Sequence, residues 1–259
     1  MASQFSWPVL VPYALRAPAL VNLGVKPHGP ANPLIVEPIM KILQKLVSVT
    51  LALFAVTATA VDEMSAIIER ARSSGATITS ITPIFNQLLS YRIPAGFKAV
   101  SEKATGDQYQ QMLALSSELE PFQPPSQLIS ASGSRGLAAV PGLNSDKYVN
   151  ALASVSKDIC LGLFKVYPIH TGVVSSRYEA SASVVACSQG KDGRYSESLV
   201  VAIRGERDYY TIIWEEKSTS SSTLTTFDKD KWLAKLLVLS PIKLCAIVPG
   251  ERPPYASCS

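Results

Sequence analysis

Histidine is almost missing from this chain: two occur in 259 residues, His28 and His170. A serine or cysteine nucleophile needs a base within hydrogen-bond reach, and histidine is the usual one. Hydrolase chemistry of that kind therefore narrows to His170 with a nearby serine or carboxylate, in Pro168-Ile169-His170-Thr171-Gly172, which is expected to be a loop. The four cysteines include no C-x-x-C pair, which argues against a zinc site. No G-x-S-x-G elbow is present. The nearest stretch, Ser132-Gly133-Ser134-Arg135-Gly136, is expected to be a flexible loop. Gln189-Gly190-Lys191-Asp192-Gly193 lacks the spacing of a phosphate loop and is expected to be a polar turn between strands. No catalytic residue, metal site or cofactor is assigned on these grounds.

Carboxylate pairs exist at Glu215-Glu216 and at Asp228/Asp230. Neighbours on a strand point to opposite faces, so the first pair cannot easily share a proton or a metal. The second pair suits the positive end of a helix. Both are expected to be structural.

What the chain does hold is an export signal. Met40–Ala60 begins with Lys41 and Lys45 and continues as an apolar run from Leu46 to Val56. It closes on Ala58-Thr59-Ala60, a small-x-small pattern with cleavage before Val61. The run is short for a bilayer span of about 20 residues. Cleavage is therefore expected over stable membrane insertion, and membrane anchoring near Leu46–Ala60 is the alternative. Residues 1–39 carry seven prolines and no helical or strand period. Translation is expected to begin at Met40, with a disordered N-terminal arm as the alternative. The division is thus 1–39, the signal at 40–60, and one mature domain at 61–259 that is periplasmic or extracellular.

Of the 24 basic residues, Arg16, Lys26, Lys41 and Lys45 precede Val61, as does Glu37 of the 20 acidic ones. The mature part then holds 20 basic against 19 acidic residues, a charge near +1. Such a domain has no electrostatic footprint for nucleic acid or an anionic membrane. All four cysteines fall within it, and an even number in an exported chain points to disulfides. Of three possible pairings, Cys160–Cys187 and Cys245–Cys258 are favoured. The second closes a short loop through Pro249-Gly250 and Pro253-Pro254.

Periodicity predicts an amphipathic helix over Asp62–Ser74. Ile78–Leu89 is ambiguous, and Pro83 is able to open a short helix there. Phe97–Lys103 and Tyr109–Glu118 are expected to form a hairpin about Thr105-Gly106-Asp107. Pro121–Asn144 reads as a long loop, with a strand at most over Gln127–Ser130. Asp146–Phe164 is the clearest helix, with Tyr148, Leu152, Val155, Ile159 and Leu163 on one stripe and Asn144 or Ser145 as its cap. Strands follow at Ser181–Ser188, Ser196–Arg204 and Asp208–Lys217. Ser218–Thr226 is expected to be a solvated loop. A helix spans Asp228–Leu239, capped by Asp228 and stapled by Phe227 onto Trp232, and a last strand spans Lys243–Val248. The fold class is α+β: an antiparallel sheet of about five to seven strands with helices packed on it, stapled by disulfides. Tyr209, Tyr210, Trp214 and Trp232 are expected to be mostly core, with a binding face as the sharper alternative.

The hairpin Ser196–Lys217, the Trp-bearing helix after it and the long helix before it resemble the PsbP/DcrB-like sheet-and-helix fold. The closing Pro241-Ile242-Lys243-Leu244-Cys245, Val248-Pro249-Gly250-Glu251 and Tyr255 are similar to exported proteins of Gram-negative bacteria that have no assigned role. The resemblance spans roughly Gly96 to Cys258. It implies accessory and interaction roles and brings no catalytic residues. The expectation is an exported, non-enzymatic binding or accessory protein acting on a protein or small ligand of unknown identity. It is weighed against a periplasmic hydrolase using His170 and a structural envelope protein.

Overall fold

The computed structural model describes residues 77–119, 124–219 and 227–259. The export signal, its cleavage point at Ala58, Ala60 and Val61, the helix expected at Asp62–Ser74 and most of the Ser218–Thr226 loop lie outside them.

Among the described residues ten strands dominate. They are β1 (Ile78–Ile84), β2 (Gln87–Ile93), β3 (Phe97–Ala104), β4 (Gln108–Leu115), β5 (Gln127–Ser134), β6 (Phe164–Val174), β7 (Tyr178–Cys187), β8 (Tyr195–Arg204), β9 (Tyr209–Ser218) and β10 (Lys243–Ala246). Two helices, α1 (Ser145–Ile159) and α2 (Lys229–Leu239), interrupt them. One antiparallel sheet of seven runs β3-β4-β5-β9-β8-β7-β6, and a second of three runs β1-β2-β10. The molecule is more sheet-rich than its sequence predicts, because Ile78–Leu89, ambiguous in sequence, and two segments expected to be mainly loop or helix end, β5 and β6, are strands.

The first is Ile78–Ile93. Pro83 opens no helix there. It sits in β1, an edge strand, where a missing N–H breaks no ladder. The β1–β2 turn has only Phe85 and Asn86 between the paired Ile84 and Gln87, and Phe85 takes φ 53°. Glycine is the usual residue for a positive φ in such a turn. Here the Phe85 ring packs on the core and beneath the Arg135 guanidinium, 4.6 Å from the ring centroid.

The second is β5, which lies mid-sheet between β4 and β9. Its run of Ser, Ala and Gly is not a loop signature but a consequence of crowding. A Cβ on Gly133 would collide with Ile84 Cγ2. The hydroxyls are satisfied: Ser132 bonds Thr211, and Ser134 accepts from Tyr148 Oη (3.0 Å) and donates to Gln108 (3.1 Å).

The middle of the sheet of seven is buried on both sides. Leu199, Val201 and Ile203 of β8 face a core shared with the small sheet and α2, including Leu89, Tyr91, Trp232 and Leu244. Val200 and Ala202 face a second core with Tyr148, Val149 and Ala153 of α1. This explains the unbroken apolar run of β8.

α1 is shorter than expected. The Asn144 side chain accepts from Lys147 N (2.9 Å), while Ser145 donates from its N–H and hydroxyl to Glu179 (3.0 and 2.9 Å). The helix stops at Ile159. Cys160 turns extended and Leu161 N donates to Gln189 O (2.7 Å), so Leu163 and Phe164 leave the helix. The expected stripe is buried only in its first half, and Val155 and Ile159 are 66% and 52% exposed.

The cysteines join as Cys160–Cys187 (Sγ–Sγ 2.05 Å) and Cys245–Cys258 (1.98 Å). Phe227 packs against the core that holds Trp232. It stacks on Tyr167 of β6, with centroids 4.0 Å apart and planes within 4°.

Candidate functional site

α2 is capped by Asp228, whose side chain accepts from Lys231 N (2.9 Å). Apolar residues lie nearly all round it: Trp232 and Leu239 are buried, Leu236 is partly buried, and Leu237 is 71% exposed. A helix that is apolar on more than one face has more to cover than one core.

Between α2 and the sheet runs an open cleft of about 480 Å³. Val174 of β6, Ala180 and Ala182 of β7, and Val201 of β8 line its floor. Leu233, Leu236 and Leu237 form its wall and Ile242 lies at one end. The hollow follows from the two alanines, which place methyl groups where the neighbouring strand has branched side chains. Its volume falls in the range of ligand pockets, and its lining is mostly aliphatic.

Two hydroxyls along the cleft are already engaged. Ser175 Oγ accepts from Leu244 N (3.0 Å), and Ser240 Oγ donates to Leu236 O (2.8 Å). His170 does not lie in a loop. It stands in β6, opposite Ala182, just past a bulge at Pro168. It is exposed and lies over Gly172, where a Cβ would come within 2.8 Å of Nε2. Among the described residues, no acid or hydroxyl is hydrogen-bonded to it. The base–nucleophile pairing that a His170 hydrolase requires is therefore not assembled in this geometry.

Of the two readings of the aromatics, burial agrees with core packing and not with a binding face. Tyr209, Tyr210, Trp214 and Trp232 are all buried, Tyr209 in the α1 core and the other three on the opposite side. They are two interiors, not one surface. Trp214 Nε1 donates to Gln127 (3.0 Å) and Tyr210 Oη to Ile84 O (3.3 Å).

A charged network anchors α2 beside the cleft. Glu197 and Glu216 sit directly opposite one another on β8 and β9, an unfavourable pairing of like charges. Lys231 resolves it, lying 3.3 Å from Glu197 and 2.5 Å from Glu216, while Lys235 lies 2.8 Å from Glu216. Trp232 Nε1 also donates to Glu197 (3.2 Å), and Lys235 Nζ stands 3.8 Å above the Trp214 ring. Glu215 points the other way, to Lys217 (3.5 Å), as strand alternation requires. Two acids and two lysines cancel, so the cluster fixes the helix and leaves no net charge to recruit a ligand. Among the described residues no group of three or more acidic, histidine or cysteine side chains is placed to hold a metal ion.

Burial favours the neutral form of Glu216, but hydrogen bonds and charge from Lys231 and Lys235 outweigh it and hold the carboxyl below the ordinary glutamate range. Burial likewise disfavours the Lys231 ammonium, and Glu216 with Glu197 reverses that, raising it above the ordinary lysine range. A depressed carboxylate stabilises the fold above its unfolded value and loses that contribution as pH falls through its folded value. Urea midpoints are accordingly expected to fall on acidification from about pH 6 to about pH 2. Glu216→Gln is expected to lower the neutral-pH midpoint and flatten this acid limb. Parallel limbs for the two proteins would remove Glu216 from the account.

Among the described residues no helix is long and apolar enough to cross a membrane. No protein-family model matches the chain, and no curated protein matches it. Solved structures give low-identity likenesses. The Ran-binding protein Mog1p of Saccharomyces cerevisiae is 12% identical over 56% of this chain and 79% of its own, with a TM-score of 0.36. A point mutant of Mog1 is 12% identical over 55% and 79%, also at 0.36. A protein of Bacteroides thetaiotaomicron is 10% identical over 64% and 50%, at 0.32. The PsbP/DcrB-like grouping is not shown by any of them; the described residues form a disulfide-paired, β-rich domain of two sheets with two helices.

Proposed function

We propose that this chain is an exported, non-enzymatic binding protein that holds an uncharged apolar group in the cleft between α2 and the β6–β8 face. The observation that carries this reading is the cleft itself, aliphatic on floor and wall with Leu237 exposed at its rim. Leaving such surface in water is unfavourable by roughly 25 cal/mol per Å², so an occupant gains by covering it. His170 stands at the cleft without a catalytic partner, which favours binding over hydrolysis. The signal at Met40–Ala60 and the two paired cysteine bridges fit an oxidising compartment outside the cytoplasm.

The test is a Nile red titration of the protein recovered from the periplasm of a Gram-negative expression host. Saturable binding is expected, weakened about tenfold by Leu237→Glu, the scale for losing part of one leucine's buried surface. Leu237 is exposed, so the variant should unfold at the wild-type midpoint. Equal dye affinity for both proteins would remove the cleft as the site.

A further inference from the structure

The geometry points to an extended peptide strand as the occupant, added antiparallel or parallel along the outer edge of β6 with its alternate side chains in the cleft. This rests on the cleft reading above.

Among the described residues β6 pairs with β7 alone, so its outer edge presents main-chain N–H and C=O groups without a strand partner. An exposed edge of this kind is a template for another strand unless something guards it. The other edge of the sheet of seven is guarded: β3 carries Lys98, Glu102 and Lys103 and a bulge between Ala99 and Ser101. The first half of β6 has its own guards in Lys165, Pro168 and the bulge that follows. From His170 to Val174 there is no proline, bulge or acidic or basic side chain apart from the histidine. That unguarded half is the part that borders the cleft.

The side chains on both faces of the edge match an incoming strand. On the cleft face His170, Gly172 and Val174 pair with Ala182, Ala180 and Tyr178, and Leu237 of α2 stands across the hollow. Residues two apart on an added strand, about 6.8 Å along it, would point into that space. Val173, out of phase with Gly172 and Val174 and bordering the cleft at the strand edge, is 65% exposed and offers a β-branched cross-strand neighbour. Apart from His170, no acidic or basic side chain of the described residues lines the cleft, so the strand's inward residues are uncharged and apolar. Main-chain pairing then supplies affinity and the cleft supplies selection, as in strand addition generally.

The experiment uses the disulfide-bonded protein and a displayed library of nonapeptides with Val, Leu or Ile at alternate positions and Thr, Ser or Gln between them. Enrichment is expected. In the best peptide, made with one N-methyl amide at a time, every second substitution should weaken binding about tenfold and the others little, the scale of one lost hydrogen bond. Leu237→Glu should weaken the parent peptide as well. A flat N-methyl scan, or no enrichment while Nile red still binds, overturns strand addition and leaves the cleft reading standing. Loss of both peptide and dye binding overturns both. Sedimentation showing a stable dimer that excludes the peptide also overturns the proposal, by giving the edge to a second copy of the chain.

Discussion

Replacing Trp232 with alanine is expected to destabilise the protein by about 3–5 kcal/mol, the range for deleting a fully buried aromatic side chain. Trp232 is 0% exposed and belongs to the core shared by α2, the small sheet and the β8 face. Its loss opens a cavity where three elements meet, so no single neighbour can collapse to fill it. The indole N–H adds a second effect, because it donates to Glu197, which is itself only 8% exposed. Trp232→Phe separates the two. It keeps most of the apolar surface but leaves Glu197 with Lys231 as its remaining partner, and it is expected to cost about 1–3 kcal/mol, the penalty for a buried acceptor that loses a donor. Urea unfolding with unchanged m-values would measure both differences. An alanine variant within about 1 kcal/mol of wild type would mean that α2 is not held through this residue.

α2 was also among the segments most legible in sequence. Asp228 before an apolar run and Pro241 after it mark both ends, and the structure agrees to within a residue. The β8–β9 hairpin was equally plain, since Gly205-Glu206-Arg207 separates two runs of apolar and β-branched residues. Illegible were the places where tertiary packing overrules local preference. Phe85 occupies a turn position that normally calls for glycine, so nothing local announced the β1–β2 hairpin. In β5, serine and glycine are required by crowding against Ile84 and by cross-strand hydroxyl bonds, yet the same composition elsewhere makes a loop. The aromatics are core, as expected, but they do not share one core. Tyr209 and Tyr210 are adjacent in sequence, but strand alternation sends them into different cores. The cleft left one trace. Leu233, Leu236 and Leu237 make α2 too apolar for a helix with one buried face, and what they border depends on Ala180 and Ala182, about fifty residues away in the chain.

Those alanines lie on β7, which one of the two disulfides ties down, and the bridges are expected to contribute unequally. Cys160–Cys187 spans 27 residues and Cys245–Cys258 spans 13. The loop-entropy relation gives about 3.6 and about 2.9 kcal/mol for closing them. Position widens the gap. The first bridge joins the end of α1 to the end of β7 and encloses all of β6, so its removal frees the sheet edge that forms one side of the cleft. The second bridge fastens the C-terminal turn to β10, and the tail it closes makes few other contacts with the sheets: Lys243 with Ser259 O, and Cys258 Sγ 3.9 Å from Leu88 O. Paired Cys160→Ala/Cys187→Ala and Cys245→Ala/Cys258→Ala variants, unfolded in urea without reductant, are therefore expected to lose stability in that order. Only the first should also loosen Nile red binding, because only the first leaves β6 free to move away from α2. Thiol labelling of the denatured, unreduced wild type should find no free cysteine. Four labelled thiols, or a larger loss from the second pair, would show that the sheet edge holds without its bridge. The cleft would then owe its shape to the β6–β7 ladder alone.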